Sequence, residues 1–267
     1  MTATANQQPA PIPAPIIFLD TNAVHYATLA LSFGSKYTFD IVTQTAANMR
    51  AALQSQGLTA WERYVDGARI VRYLCRRSEE EAAELYYSPV TGLEILCGGL
   101  RGEAIKRAAQ VGVPHRWFSR MEEKEIRTCL EPDGYTQVHA LQSNVGGLFD
   151  AVGVTLSEWQ IDPDVWRLAR ALMENVFVDV QDCLVYASAI IAQANELITV
   201  DSYLHKTVNW TSNPGAAPPE FALRFTSLRT TIRNTCAAIK GWDVENVVIP
   251  VQVGKADIKQ FLNEANP

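Results

Sequence analysis

Two short apolar runs, each closed by an aspartate, constrain this chain more than any other feature. Ile16 to Leu19 run straight into Asp20, Thr21 and Asn22 ("IIFLDTNAV"), and Leu197 to Val200 run into Asp201 ("ELITVD"). A short apolar run bounded by polar residues reads as a strand buried on both faces, the kind a parallel sheet provides. Helical patterns fill much of the space between. "AWERYVDGARIVRYLCRR" is the clearest, and "DPDVWRLARALMENV" opens with Asp162 as N-cap and Pro163 in the first position. Cys183 to Ala194 is apolar nearly all round and predicts a buried helix. Phe221, Phe225, Leu228, Ile232, Cys236 and Ile239 form one stripe that Gly241 stops. Apolar strands alternating with helices indicate an α/β fold, with a central, mostly parallel sheet flanked by helices. Further strands are expected at Leu85 to Tyr87, at Val176 to Val178 and in "NVVIPVQV". The helix after "SPVTGLEILCGG" is expected to end at Gly98 and Gly99, residues 101–176 to be mainly helical, and 209–219 ("NWTSNPGAAPP") to form a loop.

Composition narrows the classes. With 267 residues, 48% of them hydrophobic, the chain can bury a large core. Residues 1–14, rich in Gln, Ala and Pro, are expected to be disordered, and 15–267 to form a single elaborated domain. The net charge of −6 provides no global attraction for nucleic acid, so such binding needs local patches or bound cations. Five cysteines with no Cys-x-x-Cys spacing argue against a disulfide framework and a zinc ribbon. No basic n-region precedes a long apolar h-region, and no run of about 18 apolar residues occurs, so a cytoplasmic protein without a membrane span is expected. The sequon at Asn209 is read as chance without a secretory signal.

The acids carry the chemistry. Asp20 and Asp201 close strands, and Glu94 and Asp182 sit in the first turns of helices. Each has a structural explanation. Asp20 can cap the next helix, Thr91 and Glu94 match a capping box, Asp182 suits a positive helix N-terminus, and Asp179 can be that helix's N-cap. Taken together, however, strand C-termini and the following helix N-termini share one edge of a parallel sheet, where ligands bind. Four carboxylates gathered there repel one another and raise each other's pKa. A divalent cation removes that conflict, and Mg²⁺ favours a few carboxylates plus water and phosphate oxygens.

The pieces "IIFLDTNAV", "SPVTGLEILCG" and "DCLVYASAIIAQANELITVD" resemble the PIN-domain nucleases, a family that includes toxin ribonucleases of bacterial toxin–antitoxin systems. The resemblance implies a PIN-like fold, with helical insertions over about 30–84 and 101–175 and a C-terminal extension over about 206–267. It implies a metal-dependent endoribonuclease with Asp20, Glu94, Asp182 and Asp201 as metal-binding and catalytic acids. Asp179 is the rival for Asp182, and Asn22 and Thr199 are polar supports. One or two Mg²⁺ or Mn²⁺ ions would activate a water that cuts RNA to a 5′-phosphate and a 3′-hydroxyl. DNA stays open as a substrate, as do a cognate inhibitor or antitoxin protein and a homo-oligomer as partners.

Two rivals remain: a catalytically inactive PIN-like RNA-binding or scaffolding module, and a haloacid-dehalogenase-type phosphatase. The phosphatase needs a second Asp two residues after the first, where this chain has Asn22. No Walker A loop, Gly-x-Ser-x-Gly or His-Glu-x-x-His occurs, and His25 and His205 are read as packing or solvent groups. Between Arg101 and Arg127 seven basic residues mix with four acidic ones, which suits a solvated helix face. Arg229, Arg233 and Lys240 are the better nucleic-acid candidates. At about 100° per residue they fall together, about 80° to 120° from Phe221 and beside the apolar stripe.

Overall fold

β1 (Ile16–Leu19) is the middle strand of a five-stranded, all-parallel sheet. The structure, a computed structural model, describes residues 13–58, 61–114, 144–176 and 178–264, with positions 117, 133, 136, 139 and 140 besides. Most of the stretch expected to be disordered, residues 1–12, lies outside the described residues, as do Arg116, Arg120, Lys124 and Arg127 of the mixed-charge run. The chain continues through α1 (Thr21–Tyr37), α2 (Ala46–Ser55), α3 (Trp61–Glu81), β2 (Glu84–Tyr87), α4 (Pro89–Gln110), α5 (Val145–Asp150) and β3 (Leu156–Glu158). There follow α6 (Pro163–Met173), α7 (Val180–Ile191), β4 (Glu196–Ile198), α8 (Ser202–Ser212), α9 (Pro219–Lys240), β5 (Val251–Val253) and α10 (Lys255–Phe261).

The strand order is β3-β2-β1-β4-β5. From β1 the chain steps outward to β2 and β3, then returns across the sheet to lay β4 against the other side of β1. In register, Ile17 faces Leu85 on one side and Glu196 on the other. The crevice at the carboxyl ends of β1 and β4 is therefore a topological switch point, the place where open parallel sheets bind ligands.

β1 ends up apolar on both faces because both are covered. Ile17 and Leu19 join a core with α1, α2, α3, α5 and α10, while Phe18 joins a second core with α6, α7, α8 and α9. α1 and α3 approach closely enough that a Cβ on Gly67 would lie 1.9 Å from the Tyr26 carbonyl oxygen, so only glycine fits there. That contact fixes α3 against the first turns of α1.

Several expectations need correction. Within the region 101–176, expected to be mainly helical, the described residues also include a strand that was not expected, edge strand β3 at Leu156–Glu158. Gly98 and Gly99 do not end α4, which continues to Gln110 because Ile95, Leu100, Ala104 and Ala108 bury one face. Val176 and Val178 are not strand residues. "NVVIPVQV" supplies only Val251–Val253, and α8 extends through Ser212 into the expected loop. Other expectations hold: Asp162 caps α6 with Pro163 behind it, and Gly241 ends α9 at φ 69°. Among the described residues Cys75, Cys97, Cys183 and Cys236 are free, and no helix is long and apolar enough to cross a membrane.

Candidate functional site

Asp20 continues β1 by one residue, its N–H donating to the Ile198 carbonyl at 3.0 Å. The next residue starts α1, so the carboxylate is held at the junction of strand and helix. It is 2% exposed. One oxygen, Oδ1, accepts from the Thr21 N–H at 2.6 Å, and Oδ2 accepts from the Thr199 hydroxyl at 2.8 Å. Thr199, fully buried just past β4, also accepts from the Asp201 N–H at 3.1 Å. One hydroxyl thus ties the ends of the two switch-point strands together. Asp201 caps α8, accepting from Tyr203 and Leu204 at 2.8 and 2.9 Å.

The other acids arrive on helices. Ser88, not Thr91, caps α4, with Pro89 at the first position. This shifts the frame by three residues, so Glu94 is not in a capping box. Its carboxylate instead accepts from the Thr21 hydroxyl, which also lies 3.2 Å from the Thr91 hydroxyl. Asp179 is the N-cap of α7, accepting from the Asp182 N–H at 2.9 Å, and Asp182 lies in the first turn. Three of the five acids, Asp20, Asp179 and Asp201, are thus helix caps as well as site residues. Three helix N-termini, those of α1, α7 and α8, point their positive ends at this edge and partly offset the gathered charge.

A crevice of about 360 Å³ is lined by Asp20, Glu94, Asp179, Asp182 and Asp201 together. Every acid singled out in the sequence, the rival Asp179 included, is therefore brought to one place. Thr21, Asn22, His25, Tyr26 and Arg63 complete much of its polar wall. Burial pushes the Asp20 carboxyl up to about 6; the Thr199 and Thr21 hydrogen bonds oppose this, and Glu94 and Asp201 add to it. Asp182 is pushed up to about 8, first by burial and then by Asp179, Asp20, Asp201 and Glu94. Glu94 is raised by burial and by Asp179, against the Thr21 hydrogen bond. Burial and Arg63 lower His25.

Hard carboxylate oxygens with water access are the donor set Mg²⁺ and Mn²⁺ prefer. Among the described residues, no three His, Cys, Asp or Glu side chains are arranged to ligate one ion directly. The acids ring the crevice rather than meet at a point. That suits an ion that keeps several waters, and the donor chemistry fits such a group.

Sequence reasoning missed Thr21 and Arg63. A threonine after an aspartate looks like any first-turn residue, and its contact with Glu94 spans 73 positions. Arg63 gave no local signal. The predicted cation stripe lies elsewhere: Arg229, Arg233 and Lys240 do not line the crevice. Arg229 donates to the Ser212 carbonyl at 3.1 Å, Arg233 pairs with Glu245 at 3.4 Å, and Lys240 pairs with Asp164 at 2.7 Å and Asp162 at 3.3 Å. His205 is also absent from the crevice wall.

Fold and site together define a parallel α/β protein with an acid-lined crevice at its switch point. Compared with known proteins, the chain has no significant match to a family model, a curated protein or a solved structure.

Proposed function

We propose that this protein is a metal-dependent nuclease of the PIN type, an endoribonuclease acting in the cytoplasm. The observation that carries the reading is the crevice itself: five carboxylates line one polar cavity at the switch point, and among the described residues Arg63 is the one Arg or Lys that lines it. So much negative charge at a ligand-binding edge calls for a cation, and a cation held by carboxylates and water calls for a phosphate.

Asp20, Asp182 and Asp201 would hold one or two Mg²⁺ or Mn²⁺ ions, with Glu94 beside them. Such an ion lowers the pKa of its bound water and neutralises charge on a scissile phosphate. The protein's own part is positional. Thr199 fixes Asp20 and the backbone of Asp201, and Thr21 fixes Glu94. Asp20, buried and doubly hydrogen-bonded, is the rigid member of the set. Asp182, half-buried and facing four other acids, is the member whose protonation responds most to a cation's arrival.

The alternative is a PIN-like module that binds RNA without cutting it, the reading that holds if the ring of acids takes up no ion. One assay separates the two. Purified protein should cut single-stranded RNA with Mg²⁺ or Mn²⁺, leave 5′-phosphate ends and stop with EDTA. RNA binding without cleavage, unaffected by the cation, would favour the inactive module instead.

A further inference from the structure

A second groove, of about 290 Å³, lies between α2, α3 and α10. Its wall carries four cations, Arg50, Arg69, Lys255 and Lys259, against two acids, Glu62 and Asp66. In a chain of net charge −6 this is a local reversal of sign. Two of the cations are held internally: Arg69 by Asp66 at 2.9 Å and Glu264 at 2.7 Å, and Lys255 by Asp66 at 2.7 Å. Arg50 and Lys259 form no ion pair among the described residues. The Arg50 guanidinium lies 4.7 Å from the centroid of the Trp61 ring, and its buried Nε has no hydrogen-bond partner.

The groove approaches the acid crevice through Lys255, which lines the groove and lies beside Tyr26, a residue of the crevice wall. That ring lines the crevice, with the Arg63 guanidinium 5.9 Å from its centroid and Lys255 Nζ 5.6 Å from it. The close approach of Gly67 to Tyr26 sets this spacing, because Arg63 lies one turn before Gly67 on α3. From the crevice outward the surface alternates charge and ring: Arg63, Tyr26, Lys255, then Trp61 with Arg50. Cations that follow a backbone and rings on which bases stack are what a single strand requires. A duplex keeps its bases stacked on each other and cannot use the rings.

We propose that this groove is the track along which a single-stranded nucleic acid runs to or from the acid crevice. The proposal rests on the nuclease reading for the strand's destination, and on the groove's own side chains for the strand. The test uses the full chain in EDTA and a fluorescent single-stranded RNA of about 12 nucleotides, read by anisotropy across a salt series. The charge reversals Arg50→Glu with Lys259→Glu should weaken binding at least about tenfold and flatten the log–log salt slope by about 0.7 per lost contact. Trp61→Leu should weaken it about tenfold by removing a stacking platform. An equal charge change on the exposed arginines of α6, Arg167→Glu with Arg170→Glu, should do nothing. The two charge-reversal variants should keep wild-type melting curves. Trp61→Leu trims a ring packed on the core and is compared below its own melting range. All three should keep wild-type hydrolysis of bis(p-nitrophenyl) phosphate per folded molecule, which needs the crevice alone. If the double reversal melts early, Lys259→Glu alone carries the comparison.

Equal binding by the α2/α10 and α6 reversals would overturn the track, as would duplex RNA or polyphosphate binding as tightly as the single strand. Loss of strand binding in the groove variants, with no hydrolysis by any protein, would keep the track and sink the nuclease reading. Metal-dependent hydrolysis that survives with unchanged strand binding would do the reverse.

Discussion

The two edges of the sheet treat buried charge in opposite ways. At the amino edge, Glu196 opens β4 and is fully answered by the protein. Its Oε2 accepts from the Tyr73 hydroxyl at 2.6 Å, and its Oε1 pairs with Arg77 at 2.6 Å. Arg77 is in turn shared with the Tyr73 oxygen at 2.9 Å and with Glu81 at 3.0 Å. At the carboxyl edge five acids face one crevice with hydroxyls, backbone N–H groups and helix ends for company, and Arg63 on the rim. A fold that only needed stability would close both edges alike. The unanswered edge departs from that pattern, and such departures mark sites where a ligand completes the charge balance.

The sharpest way to break the comparison is at Asp20. Asp20→Asn should retain the far-UV circular dichroism of the wild type and lose metal-dependent cleavage by at least about 1000-fold, since the activated water has lost its anchor. Next is the opposite edge. Arg77→Met leaves the part-buried Glu196 without its cation, at a cost of about 2 kcal/mol, and should lower the melting temperature by about 4 to 8 °C. Cleavage per folded molecule should stay at the wild-type level. A stable Arg77→Met protein would mean that the amino edge is as open as the carboxyl edge.

A smaller effect should appear in pH dependence without metal. The native carboxyls of Asp20 and Asp182 stand at about 6 and about 8, against an ordinary 3.8. The folded state therefore holds these protons more tightly than the unfolded state. The resulting stability is complete below pH 3.8 and is lost as the pH climbs through about 6 and then about 8. Differential scanning fluorimetry should show metal-free wild type falling a few degrees further than Asp182→Asn between about pH 5 and pH 9. Saturating Mg²⁺ should shrink the gap. The smallest effect belongs to Thr199→Val, which removes one support of Asp20: cation affinity should fall about tenfold in a calorimetric titration, with melting lowered by a few degrees because a buried acceptor loses its donor.

Much of this contrast was legible in the sequence, for particular reasons. β1 and β4 announced themselves because central strands buried on both faces are continuously apolar. The acids followed from position: a carboxylate just past a buried strand, or opening the next helix, shares its edge with every other such carboxylate in a parallel sheet. β3 could not be read, since three residues with only Leu156 buried show no periodicity. The α4 terminus misled because a glycine pair looks like a stop. Gly98 lines the crevice one turn after Glu94, but it has no positive φ and a Cβ there would meet nothing within 4 Å, so neither conformation nor packing makes it a stop. The capping box failed because Ser88 was as good a cap as Thr91 and had proline behind it. The cation stripe on α9 was drawn from angle, and angle alone cannot reveal that Glu245 pairs with Arg233 or that Asp162 and Asp164 pair with Lys240. The groove with Arg50, Trp61 and Lys259 depends on α10 reaching two consecutive helices from the far end of the sequence, which no local pattern reveals.

The central claim is that the carboxyl edge is open because a cation completes it. A crystal soaked in Mn²⁺ and measured at the manganese absorption edge tests this directly. The expected result is anomalous density inside the crevice, within reach of Asp20, Asp182 and Asp201 directly or through water, with none at Glu196. An empty crevice at saturating Mn²⁺, or manganese bound only outside it, would contradict the account.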